Sequence, residues 1–499
     1  MLRGKFIVAL ICVFGLTCSV FATTKESMKV SSEDVVDKSN KCITCHLKED
    51  KSIVTQWENS THSVEQVSCY TCHAAKSDDP IGYEHEGAFI KTIISPNDCA
   101  FCHSKIVQET TASKHASAAS VMYSNDGTLA SMVASPHGDK KEFASCTECH
   151  GSVIAFEKDK EGKFVHNKAG APITDFSTWP NSGAGRVNPD GSVGSCNSCH
   201  SGHNFSASRA RQPENCAKCH SGDDHPQAGA YDSSKHAIAY ASSPKGEGNS
   251  GMNIYKKGEW TLAADYNEAP TCATCHMGSY RKSTGGVVKA THNVGDRIAW
   301  SLKDEVSKKR TRVVFTDKTM TDINDGDKIP EVEEEYEYVN FVKDGDKMKK
   351  IATLKEVAKI ITPEKRQEAM KGVCASCHSS SRVDNFYKQF DASVNTYNEK
   401  YAKPALALLE ELKKDGLYKD KGFEDGELAY LWFGIWHKAG KAARNGAAMQ
   451  SPRYEYWEGF HEVSRIFYSQ FLPKVQEVAN AGKQGAKYKK LINAIKAKK

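Results

Sequence analysis

Residues 196–236 read CNSCHSGHNFSASRARQPENCAKCHSGDDHPQAGAYDSSKH, four cysteines and five histidines in 41 residues. Each Cys-x-x-Cys is closed by a histidine: Cys196, Cys199 and His200, then Cys216, Cys219 and His220. This is the attachment signature of c-type haem. Two thiols add to the porphyrin vinyl groups, and the next residue turns its imidazole to the iron. His203, His225 and His236 are spare and placed to reach iron from the other face.

The unit repeats along the chain. Of 18 cysteines, Cys12 and Cys18 lie in the leader, and eight pairs account for the rest. They are Cys42/Cys45, Cys69/Cys72, Cys99/Cys102, Cys146/Cys149, Cys196/Cys199, Cys216/Cys219, Cys272/Cys275 and Cys374/Cys377. His46, His73, His103, His150, His200, His220, His276 and His378 follow them without a gap. Structural zinc and disulfides are the bland alternatives, but neither requires a histidine after every second cysteine. The pattern implies eight covalently attached haem c groups.

Length and charge bound the rest. At 499 residues the chain has room for two or three domains. Its 39% apolar content is thin for that length, and porphyrin faces would supply the missing core. Residues 1–22 read as a secretory signal: Arg3 and Lys5, an apolar run from Phe6 to Leu16, and a small-residue site at Val20, Phe21 and Ala22. Export to the periplasm as a soluble protein is expected, in keeping with haem attachment outside the cytoplasm. Two propionates per haem would outweigh the formal +5 charge. A nucleic-acid partner is therefore not expected, and no basic cluster with interleaved aromatics occurs.

Fold class follows from the spacing of the motifs. The expected fold is mainly α: short helices and loops wrapped on haem over 23–383, each attached histidine near a helix start, and a bundle of long helices over 384–481. Residues 151–195 are rich in Gly, Asn, Pro and Ser and read as an ordered loop of the kind that lines a site. Residues 303–350 lack Cys and His and alternate at RTRVVF and YEYVNFV. They predict a strand pair in a surface insertion, with an acidic connector from Glu331 to Glu337. In the bundle, Ala405 to Leu412 is an apolar stripe with Gly416 as its stop, and a second helix runs from Leu428 to Arg444. A third starts near Tyr454 and is expected to end or kink at Pro473. The Lys-rich residues 482–499 are expected to fray.

Eleven histidines remain beyond the eight attached ones. His62, His85, His115, His203, His225, His236 and His292 are assigned as distal ligands, because they lie in the haem-dense region in polar or turn-rich settings. His137 is held in reserve. His166 reads as surface, and His437 and His461 as core or surface positions on the bundle. Eleven suffices whether all eight irons take two ligands or one stays open. An iron with one protein ligand can transform a small molecule, whereas one with two transfers electrons.

The eight motifs in this order, the haem-free helical tail and the stretch WPNSGAGRVNPDGSVGSCNSCHSGHNFSASRARQPENCAKCH over 179–220 resemble the octahaem hydroxylamine oxidoreductase family. The resemblance implies a homotrimer built by the C-terminal helices, and a catalytic fourth haem held by Cys146, Cys149 and His150 without a distal ligand. The other seven haems would carry electrons. It also implies a substrate among small inorganic nitrogen compounds, hydroxylamine or nitrite. The redox partner would be a small cytochrome c or a membrane quinol-oxidising cytochrome.

Oxidising members carry a tyrosine from a neighbouring subunit cross-linked to the catalytic haem. Tyr454 is the candidate, with Tyr456 second and helix-start packing the alternative. The family has an Asp–His pair near the substrate, expected after the fourth motif. There Asp175 is followed by Phe176, a departure that leaves the reductive direction open. Nitrite reductases that use CxxCK are set aside, since no CxxCK occurs. The non-enzymatic alternative is an electron conduit in which every haem has two histidines.

Overall fold

The computed structural model describes residues 32–122, 144–246, 252–268, 270–324, 327, 335–344, 347–419 and 426–497. The leader and His137 lie outside them. Among the described residues no helix is long and apolar enough to cross a membrane.

Over the first 300 residues the chain forms short helices joined by turns. Small hydroxyls start several of them. Ser68 Oγ accepts from Thr71 N–H at 3.1 Å, and Thr71 Oγ1 accepts from Ser68 N–H at 3.3 Å. This reciprocal cap opens the helix Cys69–His73. Thr271 and Thr274 do the same for Cys272–His276. The attached histidines sit at helix ends, not starts: His73, His150 and His276 are each the last residue of their helix. Two thiols three residues apart on one face consume a helical turn, so the residue that must turn back to the iron comes where that turn stops.

The insertion holds more strand than the expected pair. Lys308–Phe315 pairs antiparallel with Lys347–Ile361, with Met320–Asn324 and with Trp300–Ser301. Lys347–Ile361 also pairs with Glu335–Asp344 over a register running from Lys347↔Asp344 to Glu356↔Glu335. Glu335 and Glu337 therefore belong to a strand and not to a connector; residues 331–334 lie outside the described residues. Val313, Phe315, Ile323 and Val357 form the small core of the sheet.

The bundle contains four helical runs. The first is Ser380–Tyr397, a π turn Asn398–Ala402 and Lys403–Lys414, stopped by Gly416 at φ 71°. The second passes through Glu427–Phe433, Gly434–Ala439 and Gly440–Ala448. A third comprises Arg453–His461, Glu462–Ile466, Phe467–Phe471 and Leu472–Ala481. The fourth, Gly485–Ala497, replaces the expected frayed tail and buries Tyr488 and Ile492.

The third run buries Val463, Phe467, Phe471, Val475 and Ala479 completely, a strict spacing of four. An α-helix of 3.6 residues per turn would carry that stripe around its axis by about 40° per step. The wider π turn at Phe467–Phe471 turns it back toward one face. It also explains why Pro473 does not end the run. Its ring follows directly on a π turn, as Pro404 follows Asn398–Ala402, where the wider turn shifts the carbonyl it would otherwise strike.

Candidate haem-ligand sites

Seven of the eight attached histidines meet a second histidine. Ring centroids are 6.2 Å apart for His46 and His85, 6.2 Å for His103 and His62, and 6.4 Å for His73 and His203. They are 6.0 Å apart for His220 and His115, 6.2 Å for His378 and His236, and 6.4 Å for His150 and His225. The seventh is His200, whose pKa is lowered by burial and then by His292 beside it. Two imidazoles on opposite sides of one metal, each nitrogen about 2 Å from it, place their ring centroids about 6 Å apart. The donor set and its spacing therefore fit an iron held between His46 and His85, His103 and His62, His73 and His203, His220 and His115, and His378 and His236. Among the described residues no ring pair of this spacing includes His276.

Fifteen motif cysteines are free thiols, as thioether formation requires, and none of them is spent in a disulfide; the side chain of Cys146 lies outside the described residues. Cys45, Cys102 and Cys377 are exposed, while the other twelve are half-buried. Cys42 of the first motif lies next to Cys69 of the second.

Three of the attached histidines are held in one tautomer. Nδ1 lies 2.8 Å from the Lys91 carbonyl in His73, 3.2 Å from the Val294 carbonyl in His276 and 3.3 Å from the Ala118 carbonyl in His150. A carbonyl only accepts, so Nδ1 carries the proton and Nε2 keeps its lone pair for a metal. Burial lowers the pKa of His115 to about 4, with His220 and His276 adding to the effect. Burial first, and then the paired His378, lowers His236 in the same way. Neutral imidazole is the ligating form.

Neighbouring thiols give the order in which the motifs touch. Cys42 neighbours Cys69, Cys72 neighbours Cys102, and Cys196 Sγ lies 3.9 Å from Cys99 Sγ. Cys199 neighbours Cys216, Cys216 neighbours Cys272, and Cys275 neighbours Cys374. Cys149 of the fourth motif neighbours Cys219 of the sixth. The order is thus first, second, third, fifth, sixth, seventh, eighth, with the fourth branching from the sixth.

That branch has its own surroundings. The Gly-rich segment docks on the fourth motif: Ala184 N–H donates to the Cys149 carbonyl and Gly185 N–H to the His150 carbonyl, each at 3.1 Å. These satisfy carbonyls that a helix end leaves open. A Cβ on Gly183 would stand 2.0 Å from Gly151 N, so the approach needs glycine. Opposite His150 lies His225, whose ring is also 6.2 Å from His220. His225 Nδ1 is 2.8 Å from Asp224 Oδ1. Burial pushes the Asp224 carboxyl up, but His225, Lys441 and His437 outweigh it and hold the pKa at about 2. His437 is buried, stacked on Trp436 at 4.5 Å, with Nε2 3.9 Å from Asp224 Oδ2.

Comparison with known proteins agrees with a haem-bearing chain. The family described as "Seven times multi-haem cytochrome CxxCH" matches residues 190–362, and "Cytochrome c554 and c-prime" matches 17–74 and 98–176. Between them they contain seven of the eight motifs; the motif at 374–378 lies beyond both. A solved structure titled "Hypothetical multiheme protein" superposes with a TM-score of 0.69 at 24% identity, covering 92% of this chain and 98% of that one. The reducing HAO-like protein complex of Kuenenia stuttgartiensis superposes with a TM-score of 0.55 at 18% identity, covering 91% and 87%. The chain shares the fold of these multihaem proteins, and the two multihaem cytochrome families match its motif-bearing stretches. A curated protein of the same organism, a probable nitrite reductase-hydroxylamine oxidoreductase fusion protein, is 23% identical over 273 residues. That match spans 48% of this cytochrome but only 26% of the fusion protein.

The remaining candidates fall as follows. Asp175 Oδ1 accepts from Ser177 N–H at 2.9 Å and Ser177 Oγ at 2.7 Å, a turn cap. The adjacent Asp–His pair that faces His150 is instead Asp224–His225, after the sixth motif. The signal is in the sequence, as SGDDH directly after CAKCH, but reading His225 as a ligand hides the role of Asp224. Tyr454 lies within its own chain, where a Cβ on Gly229 would come 2.0 Å from its hydroxyl. Tyr454 is half-buried against Gly229, while Tyr456 is 59% exposed. His166 and His461 are exposed.

Proposed function

We propose that this cytochrome is an exported, periplasmic octahaem oxidoreductase that reduces small inorganic nitrogen compounds, nitrite or hydroxylamine, at the haem held by Cys146, Cys149 and His150. A haem iron with a single protein ligand supplies binding and redox chemistry for such a molecule. The observation that carries the reading is the Asp224–His225 pair opposite His150. Among the described residues His225 is the distal histidine in ring contact with two attached ones, His150 at 6.4 Å and His220 at 6.2 Å, and His220 already has His115. Its ring is 37% exposed, which suits contact with an entering molecule.

In this reading His225 Nε2 presents a proton to the substrate, and the Asp224 carboxylate fixes the ring by holding the Nδ1 proton. His437 and Lys441 keep that carboxylate ionised. Six of the other motifs would hold electron-transfer haems with two histidines each, those of His46, His73, His103, His200, His220 and His378. The reductive direction is supported by the packing of the Tyr454 hydroxyl against Gly229 of its own chain. A small cytochrome c or a quinol-oxidising cytochrome would deliver electrons. The exposed aromatics Tyr430, Tyr456 and Trp457 suit the homotrimer contact expected of the helical bundle.

The test is nitric oxide binding by the reduced holoprotein, with denaturing mass spectrometry and a nitrite assay driven by reduced viologen. One nitric oxide per chain, eight haems on an uncross-linked monomer and nitrite consumption are expected. Eight haems without nitric oxide binding would make the protein a conduit in which His225 ligates iron.

A further inference from the structure

The sixth motif is the junction through which the fourth touches the rest, and its histidine is oriented differently. His73, His150 and His276 each place Nδ1 against a backbone carbonyl. His220 Nδ1 instead lies 3.3 Å from a side-chain oxygen, Oε1 of Gln227. Gln227 is held close by Ala228 N–H, which donates to the His220 carbonyl at 2.9 Å.

The amide of Gln227 has only one orientation open to it. Its Nε2 donates to Asn445 Oδ1 at 3.4 Å, and Asn445 Nδ2 donates to the Lys441 carbonyl at 2.9 Å. A backbone carbonyl carries no proton, so it fixes which end of Asn445 is nitrogen. Asn445 then fixes Gln227, and Gln227 fixes His220 with the proton on Nδ1. Asn445 is buried on Gly440–Ala448, within the second helical run of the bundle. The haem-free bundle thus reaches an axial histidine of the junction through two amides.

We infer that Gln227, locked by Asn445, is a positioning residue that sets the donor strength of His220 and so the reduction potential of the haem on the sixth motif. The inference rests on the proposed function only in taking that motif to hold a haem. A stronger acceptor on Nδ1 gives the imidazole more anionic character, favours ferric iron and lowers the potential; loss of the acceptor raises it.

The experiment is a spectroelectrochemical titration of the full-length holoprotein carrying Gln227→Glu, Gln227→Leu or Asn445→Leu, with covalent haem counted by mass. Gln227→Glu is expected to lower one midpoint, and the two leucine variants to raise one. Each shift should correspond to about tenfold in that haem's equilibrium, about 59 mV for one electron. Midpoints that stay in place with all haems retained, or that move the same way for Glu and Leu at position 227, overturn the inference. A wild-type protein with no haem on Cys216 and Cys219 overturns the proposed function along with it.

Discussion

At the residue scale the decisive pair is Asp224 and His225. If His225 delivers a proton, His225→Ala should cut the rate of nitrite reduction by roughly 10²–10⁴-fold, the usual contribution of a general acid. Asp224→Asn should cost roughly 10–100-fold, as a partner that acts through another residue. Steady-state assays check both, and an unchanged haem mass guards against misfolding. A His225→Ala protein with full activity would remove His225 from the chemistry. Much of this scale was legible beforehand, because covalent attachment fixes residue type and spacing. All seven histidines assigned as distal ligands lie beside an attached histidine. What the sequence left hidden was pairing across distance. His62 belongs with His103 and His115 with His220, separations set by the fold and not by the motif. Hidden for the same reason was the approach of His225, which carries Asp224 on its Nδ1, to His150.

At the scale of elements, the insertion sheet is tied to the haem region by charge. Asp322 accepts from Arg312 Nε at 2.9 Å, and Arg366 NH1 lies 3.3 Å away. Burial raises the Asp322 carboxyl, but Arg312 and Arg366 win and leave its pKa below the usual value. The pair's stabilisation is thus complete above the unfolded value of about 3.9 and is lost as pH falls through the lower folded one. Asp322→Asn removes the carboxylate shared by two buried guanidinium groups, of which Arg312 keeps Asp296 at 2.7 Å and Arg366 keeps the Gly295 carbonyl at 2.7 Å, and should cost about 1–3 kcal/mol at neutral pH. The gap from wild type should shrink as pH falls below about 4, readable by thermal melts across pH. Helix contacts in the bundle respond to volume instead. A Cβ on Gly459 would sit 2.4 Å from Ala443 Cα, between the second and third runs. Gly459→Ala should therefore destabilise by about 1–3 kcal/mol, and a denaturant midpoint checks it. Alternating and helical periods revealed that these elements exist. They did not reveal the π turns, because a spacing of four is read as ordinary helix until five buried positions in a row demand a wider turn.

For the whole molecule, the distribution of core decides what must fold with haem. The largest buried cluster runs from Tyr397 to Ile492 in the bundle. The clusters among the motifs are small: Ile81, Ile93 and Ile154 form one of them. A 39% apolar composition is therefore unevenly spent, and the haem-bearing half must draw its core from porphyrin. Metal and cofactor affinity then becomes folding free energy for that half. The bundle is closed on its own terms. Arg444, fully buried, donates to the Gly440 and Trp436 carbonyls at 2.8 and 3.0 Å within its own run. It also donates to the Asp304 carbonyl and Ser307 Oγ at 2.7 and 2.6 Å, the link to the rest of the chain. A chain made without haem attachment should lose protection over the motifs up to residue 276 while the bundle from 380 to 497 keeps it. Limited proteolysis read by mass, or hydrogen exchange, distinguishes the two regions. Uniform protection across both would mean that the polypeptide builds its core without haem, and uniform loss would mean that the bundle depends on the haem region through Arg444.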